Sequence, residues 1–321
     1  MNFHKIIRSI FSVYNQKYHK VICILGIKIK IFCPAKYTKY KDEILNKYSS
    51  KHKLSDKAFK SLSERITNLE SKGFKVEKLK NEIILSNKRI RIATDRYAWI
   101  AQEVFYDELY KLPKTLIKKN KNYCVLDIGA NRCYTALYFA DKKWCKRVDS
   151  FEIMPQTYEL AMRNIKLNNE YLQNKIHLYN LGLGAENTEI EALYIPNRDG
   201  ISTANIEWLK SYAPNVIPKS KKTKCKMVKS SIFLKELIET QKLSNIIFKI
   251  DVEGAEYDIL QDLSDNYPEI FNKIEIMIGD THCGFDRFLR IVNPYNFKII
   301  EAVPEAHDCC SFLLVKNRKN L

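Results

Sequence analysis

The sequence lacks a Gly-x-Gly-x-x-Gly fingerprint. Its one candidate loop, Gly129-Ala-Asn-Arg-Cys-Tyr134, carries a single glycine, which argues against a site for the pyrophosphate of a nicotinamide cofactor. No Cys-x-x-Cys pair occurs among the 9 cysteines, so neither zinc nor dithiol chemistry is signalled. The odd cysteine count, with several thiols in apolar strands, reads as reduced thiols in a cytoplasmic protein. No apolar run approaches the roughly 18 to 20 residues of a membrane span. Val21 to Ile27, the longest such run near the start, leads into alternating lysines rather than a small-residue cleavage site, so no signal peptide is expected. Internal repeats are missing too.

What is present is a chain of 321 residues, 45% hydrophobic and 28% charged. That is enough for one large soluble domain and an extension. The formal charge is +17. It points to anionic partners such as nucleic acid, anionic lipid or phosphorylated substrates, or to a general bias toward Lys, Asn, Ile and Tyr. Residues 1 to 60 hold most of the excess, with 14 Lys or Arg against 3 acids.

Phe3, Ile6, Ile7, Ile10, Phe11 and Tyr14 follow helical spacing, with Lys5 and Arg8 between them. Such a basic amphipathic stretch can lie on an anionic membrane, dock on a partner, or pack on its own domain. His19 to Phe32 alternates in its second half and reads as a small β element. Residues 36 to 60 look like a linker with some helix, and Leu54 to Leu69 like an amphipathic helix. Glu82 to Ile92 predicts a hairpin about Ser86-Asn87-Lys88, and Ala98 to Leu112 a helix stopped by Pro113. The expected organisation is a basic extension and linker over 1–60, an α+β cover over 61–115, and a catalytic domain over 116–321.

The chain is organised around Tyr123 to Ala140. An apolar strand to Ile128 ends beside Asp127, turns through Gly129 and Asn131, and enters a helix. Gly129 permits close approach of backbone to a ligand, the helix start offers N–H groups, and Asp127 suits a ligand ammonium or an ordered water. A second strand, Arg147 to Phe151, ends in Glu152, about where an acid grips ribose hydroxyls in doubly wound folds. Pro155 opens the next helix. Ile176 to Leu181 is a third strand, with Gly182 in its exit loop where an adenine would lie. Glu189 to Ile195 and Ile201 to Ile206 look like paired strands about Asn197-Arg198-Asp199-Gly200. Residues 210–224 look like a polar, Lys-rich loop long enough to be a substrate lid. Ile246 to Ile250 closes on Asp251, Glu253, Gly254 and Glu256, and helices follow at Ile232 to Ile238 and Ala255 to Leu263. Phe271 to Ile278, Phe297 to Ile300 and Ser311 to Val315 complete about seven strands.

Asp127-Ile-Gly-Ala-Asn131, Phe151-Glu152 with Pro155, and Lys249-Ile-Asp-Val-Glu-Gly-Ala-Glu256, in this order and spacing, resemble the FkbM family of S-adenosylmethionine-dependent methyltransferases. The resemblance covers roughly residues 95 to 315. It implies an α/β, Rossmann-like seven-stranded sheet with helices on both faces. It also implies a cofactor held by Asp127, Gly129, Asn131, Glu152, Gly182 and Asp251. The catalytic group would be Asp251, Glu253, Asp280 and His282. Departures are Cys133 where the family has Gly, Ile153 where it has Pro, and Asp280 where it has the acid of Glu-x-His. His282 is expected as general base, its tautomer fixed by Asp280 or Glu253. A divalent cation on Asp251, Asp280 and His282 is the less favoured reading. Glu256 reads as a first-turn acid complementing the helix dipole, and His307 as a surface or core histidine.

The 19–32 segment resembles those attached to bacterial surface-polysaccharide enzymes. With it, the resemblance implies O-methylation of a sugar hydroxyl on a surface-glycan precursor. Asn197, Arg198, Asp199, Ser202, Thr203 and Asn205 would bind the sugar, and nearby lysines a carrier phosphate. Residues 1–33 would give a peripheral contact with the inner membrane face or a partner enzyme. The alternatives are a small metabolite or peptide as acceptor, or a non-catalytic docking member of a glycan assembly complex. An RNA acceptor is disfavoured, because there is neither an added RNA-binding module nor an Asn-Pro-Pro-Tyr motif.

Overall fold

The computed structural model describes residues 11–16, 19–24, 27–79, 82–282 and 284–317. The chain divides into two compact units, residues 1–86 and 87–321.

In the first unit, β1 (Phe11–Gln16), β2 (His19–Ile24) and β3 (Ile27–Phe32) form an antiparallel sheet in that order. The expected β element is therefore present. The helix expected to reach Tyr14 is corrected: Phe11–Gln16 pairs as a strand, because long-range ladder bonds with β2 override local spacing. The spacing from Phe3 to Ile10 lies outside the described residues. The expected linker is also corrected, since Pro34–His52 is a helix of 19 residues. Its buried side chains, Tyr37, Ile44 and Leu45, are too few to announce themselves among lysines. A second helix, Asp56–Ser71, is capped by Ser55 and buries Leu62, Ile66 and Leu69. β4 (Lys75–Leu79), which the pattern missed, pairs antiparallel with β5 (Glu82–Ser86). Tyr37 ties the unit together: its hydroxyl donates to Glu70 Oε1 at 2.6 Å and accepts from Val76 N at 2.8 Å.

The second unit begins with β6 (Arg91–Ala93) and the helix Trp99–Phe105. That helix stops well short of the expected Leu112, which leaves Tyr110 in a turn. Next come β7 (Tyr123–Ile128), β8 (Cys145–Phe151), β9 (Ile176–Tyr179), β10 (Gly182–Gly184), β11 (Thr188–Tyr194) and β12 (Lys221–Lys229). The chain ends with β13 (Ile246–Ile250), β14 (Ile274–Thr281), β15 (Phe297–Pro304) and β16 (Cys310–Lys316). The main sheet is seven-stranded, as expected, in the order β15-β16-β14-β13-β7-β8-β9. Its five strands from β14 to β9 run parallel, and β16 is antiparallel to both β14 and β15.

The parallel strands are buried on both faces. Leu126, Phe248 and Met277 join one cluster with Leu234, Leu260 and Phe288 from three helices. The alternate residues Val125, Ile247 and Ile276 are equally buried and face the other way. Among the described residues no helix is long and apolar enough to cross a membrane, and the described cysteines are free.

Two expectations about 189–224 are corrected. The ladder of β11 is with β12; its pairing with 201–206 shrinks to one antiparallel bridge, Leu193 with Thr203, because Asp199–Ile201 is a 3-10 helix. The supposed lid is the helix Ile206–Tyr212, a 3-10 turn and β12. On β12, Lys222, Lys224 and Lys226 are exposed on one side while Cys225 on the other is buried, so the lysine cluster belongs to a strand.

At the centre of the sheet, Lys249 of β13 lies in register with Asp127 of β7. Its Nζ is 3.3 Å from Asp127 Oδ1, and both side chains are buried. Removing one partner of a buried pair strands the other charge, at a cost of about 3–5 kcal/mol. Lys249→Met is expected to lower stability by that much in urea unfolding. Adding Asp127→Asn should restore part of the loss.

Candidate active site

The chain leaves β7 toward β8 but leaves β13 toward β14, so a crevice opens at the carboxyl ends of these two neighbours. Gly129 occupies the crossing. Its φ is +86°, and an added Cβ would lie 1.8 Å from Asp251 O, so only glycine fits. The N–H groups of Gly129 and Ala130 both donate to Phe151 O, at 3.1 and 2.8 Å. These two donors fix the loop.

Asp127 is also corrected. It is fully buried, accepts from Ser150 Oγ at 3.1 Å and is paired with the Lys249 ammonium, so it orders the loop from behind rather than meeting a ligand's ammonium. Burial works against the Lys249 charge, but Asp127 outweighs it and the ammonium stays charged. Lys249 Nζ also donates to Gly129 O at 2.7 Å. Asn131 stands in the left-handed region, φ 46°, and its Oδ1 accepts from Arg132 N at 2.7 Å. Cys133, at φ 59°, occupies a conformation that favours glycine, and its thiol is wholly buried.

Glu152 fits the ribose role better. Its Oε1 accepts from Met154 N at 2.8 Å, and burial pushes its pKa up to about 7. Asn180 Nδ2 donates to Glu152 O at 2.9 Å, which ties the exit loop of β9 to that of β8. Gly182 lies against Ile153, whose Cδ1 would be 2.5 Å from an added Cβ.

The second group lies beyond β13 and β14. His282 is buried, with Nδ1 2.7 Å from Glu256 Oε1 and Nε2 3.4 Å from Glu253 Oε2. The residue that orients the imidazole is therefore Glu256, not Asp280 or Glu253 as expected. Glu256 is itself buried and accepts from Val252 N and Gly254 N, each at 3.1 Å, so it is more than a dipole complement. Burial opposes charge on His282. The Glu256 hydrogen bond and the charges of Glu253, Glu256 and Asp251 outweigh it and lift the pKa to about 10. In this arrangement the imidazole keeps its proton at neutral pH, which corrects the expectation of a neutral base.

Asp251 Oδ2 accepts from the Tyr110 hydroxyl at 2.7 Å. Burial, with Asp251 nearby, holds Tyr110 un-ionised. Asp280 has a buried Oδ1 without a hydrogen-bond partner, and burial with the Asp251 charge raises its pKa to about 7. Glu103 accepts from Trp99 Nε1; burial and the charges of Asp251, Asp95 and Asp280 push it up to about 8 against that bond. Asp251, Glu253 and His282 present donor atoms within 4.8 Å of one another.

The 195–205 segment roofs this end. Arg132 Nε and Nη2 donate to Asp199 at 2.6 and 2.9 Å, both residues being buried. Ser202 Oγ accepts from Ile195 N, Thr203 Oγ1 donates to Glu253 O at 2.9 Å, and Asn205 Oδ1 accepts from Trp208 N. Asp199, Ser202, Thr203 and Asn205 are thus engaged within the chain, whereas Asn197 and Arg198 are exposed. Trp208 meets the His282 ring edge-on at 5.2 Å and stacks on Tyr212 at 4.8 Å. His307 is exposed and lies edge-on to Tyr212.

Sequence reasoning missed Tyr110, Glu103, the orienting role of Glu256 and the Arg132–Asp199 pair. A lysine inside the apolar run Ile246–Ile250 was the signal available for the Lys249 pair, since a buried ammonium requires a partner.

A model of the methyltransferase FkbM domain matches residues 127–313. Methyltransferase 1 of Beauveria bassiana is 23% identical over 231 residues, spanning 68% of this chain and 89% of that protein. Methyltransferase sdnD of Sordaria araneosa is 27% identical over 195 residues, spanning 56% and 73%. The solved methyltransferase FkbM of Methylobacillus flagellatus KT aligns with 12% identity and a TM-score of 0.39, covering 68% of this chain and 51% of that one.

The raised Glu152 pKa has a sign that can be tested without any ligand. The unfolded chain loses this proton near pH 4.5, the folded chain near pH 7. Stability from this group is therefore full below 4.5 and falls as pH rises between the two values. In Glu152→Gln the fall between pH 4.5 and 7.5 should be smaller than in wild type by up to ~3 kcal/mol. Urea titrations at a series of pH values would measure it.

Proposed function

Because this chain belongs to the FkbM methyltransferase family, we propose that it methylates a sugar hydroxyl of a bacterial surface-glycan precursor, with S-adenosylmethionine as donor. The observation that carries the reading is the mutual electrostatic interaction of Asp251, Glu253 and Asp280, which follow β13 or end β14 beside the crevice at Gly129. The bound cofactor supplies an electrophilic methyl group on a sulfonium. Glu152, its carboxylate held by the backbone of Met154 and Asn131, suits its ribose hydroxyls. The loops at Gly129–Asn131 and Asn180–Gly182, with Asp251, complete its site.

Transfer to oxygen requires the hydroxyl proton to leave. His282 is held charged, so the proton passes to a carboxylate. Asp280 is the candidate, because its Oδ1 has no partner in the protein. Asp280→Asn should reduce turnover by about 10² to 10⁴ with little change in cofactor affinity. A variant with near wild-type turnover would remove Asp280 from the role.

The sugar reading rests on different residues from those expected. Trp99 is 55% exposed and bonded to Glu103, and Tyr212 is 39% exposed and stacked on Trp208, which meets His282. Exposed aromatic rings next to carboxylates offer an apolar face and acceptors to a sugar ring. Incubation with nucleotide sugars and lipid-linked glycans should give a 14 Da mass gain, one methylene by bond arithmetic, roughly the CH₂ unit by which such homologues differ. A gain confined to small metabolites or peptides would transfer the proposal to those acceptors.

Residues 1–33 are proposed as a peripheral attachment to the cytoplasmic face of the inner membrane or to a partner enzyme. On β3, Ile27, Ile29 and Ile31 are exposed on one side and Lys28 and Lys30 on the other. Sedimentation with anionic vesicles should fall with added salt and on replacing the three isoleucines by serine. Salt-insensitive or unchanged binding would contradict this.

A further inference from the structure

We propose that Asp251, Glu253 and His282 form a binding site for a divalent cation of the magnesium or manganese class. The donor set is two carboxylates and one imidazole, with donor atoms within 4.8 Å of one another. Oxygen-rich sites of this kind suit Mg²⁺ and Mn²⁺. Three protein donors leave further positions for water or an acceptor hydroxyl.

Independent features of the surroundings agree. His282 is 6% exposed, and its Nδ1 is engaged by Glu256. That contact turns Nε2 toward Glu253, at a distance longer than an ordinary hydrogen bond. A histidine held through one nitrogen by a carboxylate, with the other facing oxygen donors, is the arrangement of metal-ligating histidines; the cation takes the place of the Nε2 proton, which is released as it binds. Glu253 Oε2 is buried without a hydrogen bond. Tyr110 occupies Oδ2 of Asp251 and leaves Oδ1 for a ligand. The hydroxyl of Thr203 fixes the backbone of Glu253, so the carboxylate is presented from a held loop.

Charge points the same way. Glu103, Asp280 and Glu256 act on these donors, while Lys249, which also feels Asp251, is already paired with Asp127. A cation here would neutralise this excess. It would also polarise an acceptor oxygen bound to it, so that Asp280 could take the proton more readily.

The inference concerns the same cleft but not the identity of the methyl donor, so the two can fail separately. The full chain, stripped with chelator and dialysed, would be titrated with MnCl₂ alone by calorimetry, with free Mn²⁺ followed by electron paramagnetic resonance. One saturable Mn²⁺ per chain is expected. Binding should be lost in Glu253→Gln and weakened about 10- to 100-fold in Glu256→Gln, which removes the orienting charge. It should be unchanged in Glu191→Gln, on the exposed side of β11. Circular dichroism would confirm that each variant folds, and Asp251→Asn replaces Glu253→Gln if that one does not. Absence of saturable Mn²⁺ binding in the wild type, or wild-type binding in both ligand variants, would overturn the site. S-adenosylhomocysteine affinity measured in chelator reports separately on the methyltransferase reading.

Discussion

A lysine ammonium buried in the middle of a parallel sheet is the constraint on which the rest of the molecule depends. Lys249 and Asp127 sit on neighbouring strands at the point where the chain turns opposite ways. Desolvating two charges costs several kcal/mol per ion, so the pair is a poor source of net stability. Its value is positional. The ammonium also donates to Gly129 O, which pins the loop after β7 to β13. With that loop pinned, Gly129 can pass against Asp251 O, a contact that leaves no room for a side chain. The same contact sets the loop after β7 against the backbone of Asp251.

A second buried pair works in a similar way one layer further out. Arg132 leaves the same loop and grips Asp199 with two nitrogens. Thr203, four residues on, holds the backbone of Glu253. The segment that roofs the cleft is thereby fastened at one point to the loop after β7 and at another to the acidic loop after β13. A shift in either loop is carried to the roof through short, buried bonds. The cleft beneath gathers negative charge around a single imidazole, and burial raises several of its carboxylates. Such a site favours cationic ligands, of which a sulfonium is one.

Much of this was legible in the sequence. Apolar runs ending in Asp127, Glu152 and Asp251 announced the sheet and its crevice, because strand ends and acids are both local features. Glycine at 129 was legible for the same reason. What was hidden came from distance in the chain. Tyr110 lies 141 residues from Asp251, and nothing in its neighbourhood signals a hydrogen bond to it. Asp199 looked like a turn residue open to solvent because its partner, Arg132, lies 67 positions earlier. The strand character of β12 was masked by lysines, which read as a loop although Cys225 and Val228 are buried. Glu256 looked like a simple first-turn acid because its contact with His282 crosses from one strand end to another.

The central claim is that the crevice at Gly129 and Glu152 binds S-adenosylmethionine. Equilibrium titration with its demethylated product, S-adenosylhomocysteine, tests this most directly because no acceptor is needed. One molecule should bind per chain, and Glu152→Ala should weaken it by at least about tenfold, the loss of roughly 1.4 kcal/mol expected for a charge-assisted hydrogen bond. A wild-type protein that takes up none, or a Glu152→Ala variant that binds as tightly as wild type, would contradict the account.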